Sequence, residues 1–238
     1  MKKIISILLI ALCIGGCGKK EAIEDNAPNI DWTEKMVEEN LGKEIFCSLD
    51  SFAQFNEIAR EKYGDLYFCG EIVEIEYEEL TDNRNKPVIT IADNNDERSI
   101  KVYCDSEEDY DFAIGDVVYV NGMVDFHIKH QDEYRCEDAT VETKPDDNEY
   151  MTIAETTKLL DKLYSTIIKT NCYLDGQEEF YCELENAPDY NGIGILCYTD
   201  EDLREYDNQF ITIEGKYFMD CYNEWGLMHA HKVEEDAN

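Results

Sequence analysis

A chain of 238 residues that sets 55 Asp and Glu against 21 Lys and Arg has a net charge of −34. Such a charge repels phosphate backbones and anionic headgroups, so nucleic acid is not expected among its partners. Its 16 Tyr, 9 Phe and many Val and Ile exclude the disorder that acid-rich chains show when apolar residues are scarce.

The chain opens on Lys2 and Lys3 and an apolar run from Ile4 to Ile14. A bilayer-spanning helix needs roughly 20 apolar residues, so this shorter run is read as the core of an export signal. It ends on Ile14, Gly15, Gly16 and Cys17, which resembles the lipobox of bacterial lipoproteins. That resemblance implies diacylation of the Cys17 thiol by palmitate-like chains and cleavage between Gly16 and Cys17. The body would then be held at the extracytoplasmic face of the cell membrane. Two acyl chains suffice for this, because burial contributes about 0.8 kcal/mol per CH₂ and a single chain binds only marginally. An ordinary secretory signal with a chance cysteine is the alternative. From Gly18 to Asn29 the sequence is polar and aperiodic, as in a flexible tether.

A helix follows from Ser51 to Tyr63, with Phe52, Phe55, Ala59 and Tyr63 on one stripe. Five strands are predicted after it, at Leu66 to Glu76, Val88 to Ala92, Ile100 to Cys104, Val117 to Phe126 and Tyr134 to Val141. A linker with Pro145, Asp146 and Asp147 leads to a second helix from Ile153 to Ile168, whose stripe includes Leu160, Leu163 and Ile167. Thr152 and Glu155 form a capping box at its start. Strands then recur at Lys169 to Leu174, Phe180 to Leu184, Ile193 to Cys197, Phe210 to Cys221 and Gly226 to Val233.

The two halves are a repeat at an offset of 93 residues. Ile100, Val102, Cys104, Val118, Val120 and Gly122 align without a gap to Ile193, Ile195, Cys197, Ile211, Ile213 and Gly215. A helix and five short strands, twice over, suit a five-stranded Greek-key barrel of the OB type, which closes its own edges. The stretch from Phe52 to Val141 is similar to the tRNA-anti-like OB-fold family of bacterial exported proteins and lipoproteins. Gly70, Ile72 and Ile75 on the first strand, Ile100 to Cys104 on the third and Gly115 to Gly122 opening the fourth carry the resemblance. The second half departs from it, with Asn208 and Gln209 where the first has Gly115 and Asp116. The expected fold class is therefore mainly β with flanking helices (α+β), as two tandem OB-like barrels each preceded by an α-helix. The expected divisions are a signal peptide (1–16), lipid anchor and tether (17–29), a first OB-like domain with leading helices (30–143), a linker (144–150) and a second OB-like domain (151–238).

OB folds place ligands on strands 2 and 3, between the loops that follow strands 1 and 4. In the first half, Arg84, Lys86, His127, Lys129, His130 and Arg135 fall on or beside those loops, with Tyr103 on the adjoining strand. They include half of the Lys and Arg between Cys47 and Thr143, so a local basic patch is expected to hold an anionic ligand, for example a wall polymer or an acidic peptide. Solvated turns partly neutralised by Asp82, Asp132 and Glu133 are the alternative. In the second half, Tyr181, Tyr198, Tyr222 and Trp225 could form a stacking surface for sugar or peptide, or be partly buried strand residues.

Beyond Cys13 and Cys17 lie eight cysteines, four per half, read equally as a disulfide framework or as buried thiols. No Cys-x-x-Cys spacing occurs and the one tight histidine pair is His229 and His231, so no metal and no cofactor are expected. Nucleophile-elbow, phosphate-loop, His-Glu-x-x-His and dinucleotide motifs are also missing from the sequence, and no catalytic residues are assigned. The resulting expectation is a non-enzymatic, surface-anchored lipoprotein that binds an envelope ligand or protein. A structural component of an envelope complex is the alternative.

Overall fold

The computed structural model describes residues 26–79, 85–93, 98–104, 110–126, 134–178, 180–186, 194–220 and 224–233. The export signal and Cys17 lie outside the described residues. In chain order the elements are α1 (Glu34–Asn40), β1 (Glu44–Phe46), α2 (Leu49–Tyr63), β2 (Leu66–Glu79), β3 (Asn85–Ala92), β4 (Ser99–Cys104), β5 (Val117–Phe126), β6 (Tyr134–Glu142), β7 (Met151–Thr152), α3 (Ile153–Tyr164), β8 (Ile167–Glu178), β9 (Tyr181–Glu185), β10 (Ile195–Tyr198), β11 (Phe210–Met219) and β12 (Trp225–Lys232). The protein is mostly β, as expected.

Helix starts follow local chemistry. Ser48 caps α2 by accepting from the Ser51 amide, and Thr152 and Glu155 cap α3 reciprocally, as the box motif predicts. Helix α3 ends at Tyr164, four residues short of its expected end at Ile168. The following Thr166, Ile167 and Ile168 are β-branched, and Ile167 and Ile168 pair with Lys216 and Gly215 in β8 instead of extending the helical stripe.

Strand β2 is long enough to belong to two ladders. Its first part, Leu66 to Glu71, pairs with β5, and its second part, Glu71 to Glu79, pairs with β3. A bulge between Ile72 and Glu74 supplies the bend between them. From β3 the ladder runs antiparallel to β4, parallel from β4 to β6, and antiparallel from β6 back to β5. The ring is closed, and its strand order is that of an OB-type barrel. Phe68, Ile72, Ile89, Ile91, Ile100 and Val102 fill it, each fully buried. Gly70 is required by close approach, since a Cβ there would lie 2.8 Å from Ile153 Cγ1 and 3.1 Å from the Ala92 oxygen.

A second sheet has the order β1-β8-β11-β12-β10-β9, with an additional pairing of β8 to β9. The sequence repeat maps onto equivalent strands. Val102 and Cys104 lie on β4, whose partner β6 is parallel; Ile195 and Cys197 lie on β10, whose partner β12 is parallel.

The segments leading into the two halves are exchanged between them. Strand β1 adds to β8 of the second sheet, and the following helix α2 sets Phe52 and Phe55 edge-on against Tyr217 of β11. Conversely β7 adds to β2 of the first barrel, while α3 packs on β2 and β4 and also on β11. Arg98 and Tyr134 of the first half both bind the Asp161 carboxylate of α3, at 2.9 and 2.6 Å. One continuous apolar core results. Residues 26–29 are tied to the body as well: Asn26 accepts from Asn171, while Pro28 and Asn29 accept from Ser48. Among the described residues no helix is long and apolar enough to cross a membrane.

Candidate ligand-binding face

On the outer face of the barrel, Tyr103 stands between two cations. Lys86 Nζ is 6.0 Å and the Arg135 guanidinium carbon 5.4 Å from its ring centroid. The three come from β3, β4 and β6, and the ladder explains why they meet. Alternation along β4 turns Ile100, Val102 and Cys104 inward and leaves Lys101 and Tyr103 outward. The β4–β6 register shifts between Val102 and Cys104, so that the backbone of Glu137 and Asp138 faces the single residue Tyr103. A bulge of this kind re-aims the side chain it carries. Lys86 is buried, while Tyr103 and Arg135 are half-exposed. Close to them Lys101 pairs with Glu76 at 2.7 Å. A tyrosine ring flanked by cations offers both a stacking surface and a local positive potential. Of the residues expected on this face, the structure brings Lys86, Tyr103 and Arg135 together; Arg84, His127, Lys129 and His130 lie outside the described residues.

The aromatic residues of the second sheet divide. Tyr181 and Tyr198 are Cα partners across β9 and β10, with ring centroids 6.4 Å apart. Their hydroxyls donate to Glu178 and Glu224 at 3.0 and 3.3 Å. The Glu178 hydrogen bond raises the Tyr181 pKa, while burial followed by the Glu224 charge pushes Tyr198 up to about 12. Trp225 instead packs its ring edge-on to Phe52 at 5.2 Å and joins the helix contact. Tyr222 lies outside the described residues. Beside Tyr181 opens a cleft of about 320 Å³, lined by Gln177, Phe180, Thr199, Asp200, Glu201, Asp202 and Arg204. Its one cation is bound by Asp202, whose carboxyl the Arg204 guanidinium holds down to about 2, so the cleft is acidic.

Among the described residues, the β8–β9 register gathers a group able to hold a cation. Asp175, Glu183 and Glu185 bring carboxylate oxygens within 4.8 Å of one another. Their spacing in sequence is irregular, and only the strand pairing could have indicated them. His229 and His231 approach different carboxylates, Asp200 and Glu214, each at 3.8 Å.

No family model matches this sequence, and no curated protein matches it. Among solved structures it is similar to a murine DNA-binding protein bound with double-stranded DNA, at 10% identity and a TM-score of 0.26, over 73% of this chain and 99% of that one. It is similar also to the Ifi202 HINa domain in complex with double-stranded DNA, at 9% identity and a TM-score of 0.25, over 71% and 98%. A Drosophila Unr fragment follows, at 9% identity and a TM-score of 0.21, over 72% and 63%. Two of these neighbours are described bound to DNA, which runs against the expectation that nucleic acid is excluded as a partner. Net charge by itself excludes no anionic ligand: screening limits a charge's reach to roughly 10 Å at 0.1 M salt, so a docking ligand responds to the face it meets more than to the net charge.

Proposed function

We propose that this chain is an exported lipoprotein, lipidated at Cys17, with two OB barrels of the tRNA-anti-like kind that bind a ligand without transforming it. The second barrel is supported by its pairings: β8 pairs with β11 along Ile167 to Tyr173 and with β9 along Tyr173 to Glu178, bending at a bulge near Gly176, as β2 does in the first barrel. Its ladder runs on through β9–β10, β10–β12 and β12–β11. The first barrel is assigned the ligand, an extended polyanion carrying phosphate or carboxylate groups. The observation that carries this reading is Tyr103 flanked by Lys86, both on the two strands where OB folds dock ligands, and by Arg135 at the start of the fifth strand, beside a loop that borders that face.

The test is a fluorescence titration of the detergent-solubilised protein with poly(glycerol phosphate), poly-glutamate and a single-stranded oligonucleotide. Binding of one of these that weakens at least tenfold in Tyr103→Ala and falls with added salt supports the reading. No binding by any, or binding indifferent to both changes, removes it. Cys17→Ser, followed by membrane fractionation, tests the anchor separately; persistent membrane association sinks that part. A second reading, contact with an envelope protein, is favoured by the exposed Val73, Ile114 and Val117 near the start of β5 (48%, 69% and 48% accessible).

A further inference from the structure

Cys182 on β9 and Cys197 on β10 are Cα partners across an antiparallel ladder, and both are buried. The type of rung follows from its neighbours. The Thr199 amide donates to the Phe180 carbonyl at 2.8 Å, which makes that rung a hydrogen-bonded pair; two residues along, Cys197 and Cys182 form the next one. Residues opposed in such a rung have Cα atoms about 5.5 Å apart, within the roughly 4.4–6.8 Å that disulfides span, while their Cβ atoms lie toward the upper end of about 4.5–5.5 Å, so bond formation draws the two strands about 1 Å closer. Both are free thiols in this structure, and Cys182 Sγ donates to the Cys197 carbonyl oxygen at 3.8 Å, which places it against its cross-strand partner. Elsewhere in the ladders Cys69, Cys104 and Cys136 oppose Tyr119, Ala139 and Val102. Cys172 on β8 is near enough to this pair to interact with both members electrostatically.

We propose that Cys182 and Cys197 form a cross-strand disulfide that fixes β9 to β10. The oxidant is a small-molecule disulfide, RSSR. One cysteine thiolate attacks a sulfur of RSSR and releases RS⁻; the second thiolate then displaces another RS⁻ from the mixed disulfide. Two thiols are oxidised to one disulfide, one RSSR is reduced to two RSH, and the two thiol protons pass to the leaving thiolates. Because both sulfurs are buried in the folded protein, the exchange takes place before β9 and β10 close, and the bond is shielded afterwards. The adjacent rung holds Tyr181 and Tyr198, so the cross-link also pins the register of that exposed aromatic pair. The inference does not depend on the ligand assigned to the first barrel.

To test it, the full chain in detergent is unfolded with reductant and refolded in mixed reduced and oxidised glutathione. Thiols are then blocked with an alkylating agent and the peptides mapped by mass. The expected result is a Cys182–Cys197 peptide pair short of two hydrogens, with Cys172 alkylated, and a Tm about 6–12 °C above that of the reduced form for a loop of this length. Cys172→Ala keeps the pair, and Cys182→Ala leaves Cys197 open to alkylation after unfolding. Alkylation of both Cys182 and Cys197 after oxidative refolding, or a pair that uses Cys172, overturns the proposal.

Discussion

Replacing Phe52 with alanine tests whether the leading helix of the first half belongs energetically to the second. Phe52 is fully buried, and its ring meets Tyr217 at 6.1 Å and Trp225 at 5.2 Å, both edge-on and both in the second sheet. Truncating a buried phenylalanine costs about 3–5 kcal/mol, and two edge-to-face pairs of about 0.5–1.5 kcal/mol each place this site in the upper part of that range. Collapse into the cavity is hindered, because the Tyr217 hydroxyl is held by the Asn56 side chain at 2.7 Å and the Tyr217 ring is wedged against Phe55. For a protein stable by about 5–15 kcal/mol, the loss is a large fraction of the total. Urea unfolding followed by tryptophan fluorescence reads it directly, since Trp225 touches the ring and Trp32 packs on the neighbouring Phe55 at 5.3 Å. The midpoint is expected to fall with an unchanged m value. Phe180→Ala, at a ring 65% exposed, serves as the control and is expected to stay within about 0.5 kcal/mol. A loss under about 1 kcal/mol for Phe52→Ala would refute the exchanged packing as a source of stability.

Other outcomes follow from single contacts. Tyr217→Phe leaves the Asn56 oxygen without its tyrosine donor and is expected to cost about 1–3 kcal/mol by the same assay. Gly226→Ala places a Cβ against the Leu196 carbonyl and is expected to cost at least the upper end of about 1–3 kcal/mol, read as accelerated amide exchange in β10. Burial pushes the Cys47 thiol from 9.0 up to about 12. A raised pKa means that the folded state keeps a proton the unfolded chain gives up, so this contribution is intact below pH 9.0 and is lost as pH rises toward about 12. Cys47→Ala should flatten that part of the stability–pH curve. Arg135→Glu is expected to weaken polyanion binding at least tenfold at low salt, and less at high salt as screening removes the charge term.

The repeat, the cap of α3 and most strands were legible in the sequence because their causes are local. Period-2 alternation marks β4 and β10, and the Thr152–Glu155 box needs only residues three apart. The end of α3 was misjudged, since Ile167 continues an apolar stripe at helical spacing and only its pairing with Lys216 assigns it to β8. Lys86, Tyr103 and Arg135 were legible as candidates through the OB pattern, whereas their meeting depends on a bulge between strands far apart in sequence. Trp225 had the composition of a binding surface, and in the structure it is half-buried, with its ring packed against Phe52 at the edge of the core.

Local order along the chain therefore determined what the pieces are: two helices, the second with a readable start, and ten strands in two matching sets. Tertiary structure alone decided which helix serves which sheet, where the acidic and basic faces fall, and that Cys182 looks across a ladder at Cys197. The reason is that periodicity and capping are set by neighbours within a few residues. Strand register and helix docking are set by apolar surfaces that find each other over more than a hundred residues, as Phe52 and Tyr217 do, and no short-range pattern records that choice.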